Sequence, residues 1–170
     1  MQMNTLQDLF VETLRDLYDA EMQELGSAPA MAQAVSSPEL QEALIQHTKQ
    51  TEQQVQRLEQ VFRGLGEQPG GHKCRGMEGL LSENKEILQA KGDPDVLDAG
   101  LICGQQKIEH YEIAGYGTAV TFAKMLGQQQ AAKLLAQTLD EEEKIDQKLS
   151  QLAKAKINPD AEAAGGEMPA

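Results

Sequence analysis

The sequence predicts an all-α fold: four long helices in a bundle, arranged as two antiparallel helix hairpins joined by a long crossover that carries a short extra helix. Three observations predict it. Apolar residues recur at steps of three and four along most of the chain. Runs of β-branched and aromatic residues between turn signals are nearly missing. Aromatic residues make up only 4% of the 170 residues and tryptophan is absent, so the core must be built from Leu, Ile, Val, Ala and Met. A chain of this length can bury one sizeable core.

The first helix is expected to start at Thr5, a good N-cap with Asp8 in the favoured acidic first turn. Its inward line reads Leu6, Phe10, Leu14, Leu17, Glu21, Leu25. Pro29 lacks an amide donor and should kink or interrupt it. Ser37-Pro38-Glu39 opens the second helix, with Ser as N-cap and Pro at the first helical position. Its line is Leu40, Leu44, His47, Thr51, Val55, Leu58, Phe62, ending near Gly64 or Gly66. Residues 64–73 form a Gly-rich loop, and a short amphipathic helix follows over about 76–90. Asp93-Pro94 opens the third long helix, whose stripe includes Leu97, Leu101, Gln105, Ile108, Glu109, Glu112, Ile113, Tyr116 and Val120, with Gly127 at its C-terminal stop. The fourth, from about Gln128, runs Ala131, Leu135, Leu139, Glu142, Asp146, Leu149, Leu152.

Short links within each pair make antiparallel neighbours, and the long insertion sits between the pairs. That is the connectivity of ferritin-like bundles rather than of a simple up-down-up-down bundle. Residues 1–157 are therefore expected to form one bundle. Residues 158–170, small, polar and punctuated by Gly and Pro, read as a disordered tail.

A formal net charge of -12 argues against nucleic acid as a partner, since the only small basic cluster is His72-Lys73-Cys74-Arg75. Two distant cysteines give no disulfide framework. No basic segment followed by an apolar stretch opens the sequence, and no apolar run approaches the ~20 residues that span a bilayer. No membrane association is expected, and the cytoplasm is the expected location.

Each long helix interrupts its apolar stripe near mid-length. The first contributes Glu21, the second His47 with Gln50 and Thr51, the third Glu109 and Glu112, the fourth Glu142 and Asp146. A shift of register would turn Glu141 or Glu143 inward instead of Glu142. A single Glu on a helix is ordinarily solvated, but four helices interrupted at one level are not ordinary. Ionised carboxylates in an apolar core cost several kcal/mol each unless compensated, and no Lys or Arg lies on the inner stripes at these levels. A pair of divalent cations would compensate them, and mixed carboxylate and imidazole donors suit iron or manganese. Among the remaining residues, Cys103 reads as a small buried hydrophobe, Cys74 as a thiol flanked by positive charge, His72 as a solvated loop residue, and Gly115 and Gly117 as sites of close helix approach.

Asp19-Ala20-Glu21, His47-x-x-x-Thr51, the string Ile108-Glu109-His110-Tyr111-Glu112-Ile113-Ala114-x-Tyr116, Asp140-Glu141-Glu142 with Asp146, and Met77-Glu78-Gly79-Leu80 in the crossover together resemble the YciF-type bacterial stress-response proteins. The resemblance spans nearly the whole chain except the tail, and the third-helix string is its most specific part. It implies a ferritin-like fold related in architecture to rubrerythrin, a homodimer, and metal positions at Glu21, His47, Glu109, Glu112, Glu142 and Asp146. Where the family has Glu, this chain has Gln50, which can offer a carbonyl oxygen but no charge. Two readings follow. One is a di-iron carboxylate protein acting on dioxygen or peroxide. The other is a non-catalytic stress or interaction protein with a degraded site, which Gln50 favours.

Overall fold

The computed structural model describes residues 3–164. Helices α1 (Leu6–Ala34) and α2 (Pro38–Leu65) form the first hairpin; α4 (Pro94–Met125) and α5 (Gln129–Leu152) form the second. Helix α3 (Arg75–Gln89) lies in the crossover, packed on α1 and α4. The four-helix bundle with a helical crossover is thus the observed fold.

Local chemistry explains the boundaries. Thr5 and Asp8 close a capping box at the start of α1. Ser37 caps α2 with Pro38 behind it, and Asp93 caps α4 with Pro94 behind it. Gly66 ends α2 in the left-handed conformation, φ 73°, which glycine adopts at little cost. Helix α1 runs through Pro29 without a break. The ring sits on an exposed face, so the missing hydrogen bond is lost where water can replace it.

The C-terminal segment departs from the expected tail. A π-helical turn, Ala153–Ile157, leads into a sixth helix α6, Asn158–Ala164. Buried Ala153 and Ile157 anchor this segment in the core, and α6 packs on α4. Tertiary packing thereby orders a stretch whose composition reads as loop. Residues 165–170 lie outside the described residues.

Two apolar layers fill the bundle. One gathers Phe10, Leu14, Leu17, Leu58, Phe62, Tyr116 and Leu135; the other gathers Met31, Leu40, Leu44, Leu101, Ile102, Ile145 and Leu149. The polar level predicted from the helix midpoints lies between them. Gly115 allows α4 to approach α1 closely, because a Cβ there would come within 2.7 Å of the Leu17 side chain. Nothing lies within 4 Å of such an atom at Gly117, so the close approach belongs to Gly115 alone of the pair.

The α1–α2 turn is tied to α4 by Asp98, a buried carboxylate. It accepts from the Ser36 amide at 2.9 and 3.1 Å, the Ser36 hydroxyl at 2.8 Å and the Ser37 amide at 2.7 Å. Removing an acceptor and stranding such donors costs about 2 to 3 kcal/mol. Asp98→Ala is therefore expected to lower the urea midpoint with little change in slope. A midpoint equal to the parent's would show that the turn holds without this clamp.

Candidate metal centre

Glu21 and Glu24 lie one turn apart on α1, and Glu109 and Glu112 repeat that spacing on α4. His47 faces them from α2 and Glu142 from α5. All six are buried, four of them at 0% exposure, including Glu142. Among the described residues they form three overlapping triads: Glu24–His47–Glu109, Glu21–Glu24–Glu112 and Glu109–Glu112–Glu142. Within each, one ligand atom per residue lies within 4.8 Å of the others. His47 Nε2 is 3.4 Å from Glu24, 3.3 Å from Glu109 and 3.9 Å from Glu142.

Neutral donors hold the carboxylates in place. Gln105 Nε2 donates to Glu24 at 2.6 Å and to Glu109 at 2.8 Å. Thr51 donates to Glu24, Gln54 to Glu142 and the Tyr116 hydroxyl to Glu21. The remaining atoms are orphans. Glu21 Oε2, Glu109 Oε2, both Glu112 oxygens, Glu142 Oε2 and both His47 ring nitrogens are buried with no hydrogen-bond partner. Native proteins rarely leave buried polar groups unpaired. Here the orphans are oxygen and imidazole nitrogen atoms converging on one volume, a donor set that suits divalent iron or manganese. The residues present fit a metal centre.

Without a metal, protons must do the compensating. Burial first, then neighbouring charge, raises the carboxyls of Glu21, Glu112 and Glu142 well above the ordinary range. Burial, reinforced by Glu24, pushes Glu109 up to about 8. Glu24 is the exception: burial would raise it, but His47, Gln105 and Thr51 outweigh burial and lower it. Burial likewise disfavours a charged His47, yet the Glu24 carboxylate and its neighbours outweigh that and raise it to about 9. The metal-free core thus holds one ion pair, Glu24 with His47, among carboxyls that keep their protons.

The structure brings together five of the seven expected site residues: Glu21, His47, Glu109, Glu112 and Glu142. Glu142 is the inward residue of its run; Glu141 pairs with Arg57 at 2.7 Å and Glu143 is exposed. Gln50 is not in the cluster. It lies half-buried in an outer groove of α2 and α5 beside Gln46 and Lys148. Asp146 also falls outside, accepting from Gln106 at 3.0 Å beside His110. On α5 the buried line runs Leu135, Thr138, Glu142, Ile145, Leu149, which leaves Asp146 at its edge. Glu24 was missed because Leu25 looked like the next apolar step; the repeat of Glu-x-x-Glu on α1 and α4 was the available signal.

Other expectations change. Cys103 is exposed. Cys74 is buried, caps α3, and has its thiol pKa raised, chiefly by burial. His72 is half-buried against Asp16 at 3.0 Å.

Residues 5–162 match a family described as a domain of unknown function, DUF892. The chain belongs to the DUF892 family. It is 41% identical over 163 residues to protein YciF of Escherichia coli strain K12, across 95% of this chain and 98% of that protein. The crystal structure of the E. coli stress protein YciF superposes with a TM-score of 0.88, covering 92% of this chain and 99% of that one. YcfI from Rhodopseudomonas palustris is 37% identical with a TM-score of 0.84, over 86% and 94% of the two chains. This DUF892 chain is therefore a homologue of a bacterial stress protein, with a buried Glu/His cluster able to hold a metal ion.

The charge balance predicts a pH response. Carboxyls whose folded pKa is raised contribute stability that is full below the ordinary 4.5 and is lost as pH rises through the folded values, about 8 for Glu109. The raised His47 acts in the same direction, losing its contribution between 6.5 and about 9. Metal-free protein should therefore lose thermal stability between about pH 5 and pH 8, while the stabilisation by Mn(II) grows over that range as protons are released. A melting temperature flat in pH, with and without metal, would contradict this balance.

Proposed function

We propose that this protein is a stress-response protein whose core holds two divalent metal ions, iron in the working form, and that the loaded site oxidises Fe(II) at the expense of peroxide or dioxygen. The observation that carries this reading is the set of three overlapping triads with their orphaned oxygens and imidazole. A cytoplasmic homodimer belongs to the same proposal and is supported by the resemblance alone.

The residues divide the work. Glu24, Glu109 and Glu112 each belong to two triads and would form the centre of the donor set. His47 would bind one ion as neutral imidazole after losing its proton. Gln105, Gln54, Thr51 and Tyr116 keep the carboxylates in position, and the apolar layers on either side exclude water. Two bound Fe(II) ions would supply the two electrons that, with two protons, reduce hydrogen peroxide to two waters. The non-catalytic reading rested on Gln50, and Gln50 lies outside the donor set.

Anaerobic titration of metal-free protein with Fe(II), followed by mixing with peroxide, tests the proposal. Saturation at about two irons per chain is expected, then rapid oxidation. Glu109→Ala should keep its fold, since it removes a buried protonated carboxyl and leaves the Glu24–His47 pair and both apolar layers in place, yet lose saturable binding and oxidation. A parent protein that binds no iron saturably would end the proposal.

A further inference from the structure

A chain of hydrogen bonds leads outward from the centre between α2 and α5. Gln54 and Arg57 lie three residues apart on α2 and so share a face. Thr138, Glu141 and Glu142 meet them from α5. Gln54 Nε2 donates to Glu142 Oε1 and, at 3.3 Å, to Glu141 Oε2. Arg57 grips the same Glu141 carboxylate with both guanidinium nitrogens, each at 2.7 Å. It also donates to the buried Thr138 hydroxyl at 3.1 Å. The Arg57 and Glu141 side chains are 11% and 17% exposed, so the pair is largely sheltered. A two-pronged grip of this kind fixes direction as well as distance.

The donor set is unevenly supported. Within the Glu24–His47–Glu109 triad, Gln105 donates to both carboxylates and Thr51 adds a bond to Glu24. Within the Glu109–Glu112–Glu142 triad, both Glu112 oxygens are unpartnered, and Gln54 is the amide that holds Glu142. Gln54 is itself buried with an unpartnered Oε1. Its amide is therefore oriented by the two carboxylates it serves. Arg57 fixes one of them. If Glu141 were free to move, the amide would lose its second anchor, and Glu142 would lose a fixed donor.

We propose that Arg57 and Glu141, which lie outside the donor set, are positioning residues for one of the two metal ions: they lock the Gln54 amide, and Gln54 holds Glu142 with Oε2 free for a metal. This rests on the proposed dimetal reading and divides its two ions. The ion bound with Glu142 depends on the Arg57–Glu141 pair. The ion bound by Glu24 and His47 does not.

Metal-free protein is titrated with Mn(II), followed by calorimetry and by EPR. The parent is expected to take up two ions and to show the spectrum of a spin-coupled pair. The double variant Arg57→Met with Glu141→Met removes one charge of each sign. Replacing a sheltered ion pair by apolar side chains of similar volume often leaves stability unchanged, so its metal-free melting temperature should stay close to the parent's. Its second binding step should weaken at least about tenfold, the cost typical of losing an outer support of a metal ligand. Its first step should hold within about twofold, and at one equivalent its EPR should be that of an isolated ion. Gln54→Met alone should give the same split. Adding it to the double variant should weaken the second step no further, because the pair acts through Gln54. Unchanged binding in the double variant, or both steps weakened equally, overturns the inference and leaves the dimetal reading standing. So does a triple variant whose loss is the product of the two separate losses, since the pair would then act without Gln54. A parent that takes up one ion or none ends the dimetal reading, and this inference with it.

Discussion

Five carboxyl groups and an imidazole meet inside this bundle, buried from bulk solvent, and most of the architecture answers to that fact. Each would cost several kcal/mol if ionised and alone. Protons, a single ion pair and neutral amide donors make the metal-free core tolerable. Two divalent cations would do so by charge. Apolar layers above and below the cluster keep the local dielectric low, which strengthens attraction to a cation as much as repulsion between the carboxylates.

Holding four helices to this tolerance needs ties away from the cluster. Asp98 binds the first interhelix turn to α4, and Gly115 lets α1 and α4 approach until their Glu-x-x-Glu pairs face each other. Gln105 then links the two helices through a single side chain, touching Glu24 on one and Glu109 on the other. Helix α3 is more than a connector. It covers one side of the bundle, and its Asn84 packs closely against Gly104 of α4, next to Gln105.

Kinship with the E. coli stress protein YciF rests on sequence and on shape together. A protein from Xanthomonas campestris at 24% identity and a TM-score of 0.74 extends the same fold to a more distant chain. Gln50, standing where the resemblance implies a Glu, looks damaging in one dimension. In three dimensions the α1 carboxylate Glu24 completes the donor set, and Gln50 faces an outer groove.

The four long helices, their ends and their connectivity were legible in the chain because they are local matters: Ser-Pro and Asp-Pro starts, Gly66 and Gly127 stops, and apolar steps of three and four. Pairs such as Glu109 and Glu112 were legible for the same reason, since residues one turn apart share a face whatever the tertiary context. Edges of the buried stripe were not. Residues three and four steps on differ by about 100° around the helix, so whether Glu24 or Leu25, Ile145 or Asp146, faces inward depends on where the neighbouring helix lies. Likewise α6 is held against the bundle because Ile157, the residue just before it, is buried in the core, while α6 itself buries no residue. The sequence by itself determined that carboxylates and an imidazole would be carried at mid-helix. Only the tertiary structure decided which of them meet, because burial is a property of packed pairs of helices and not of one helix alone.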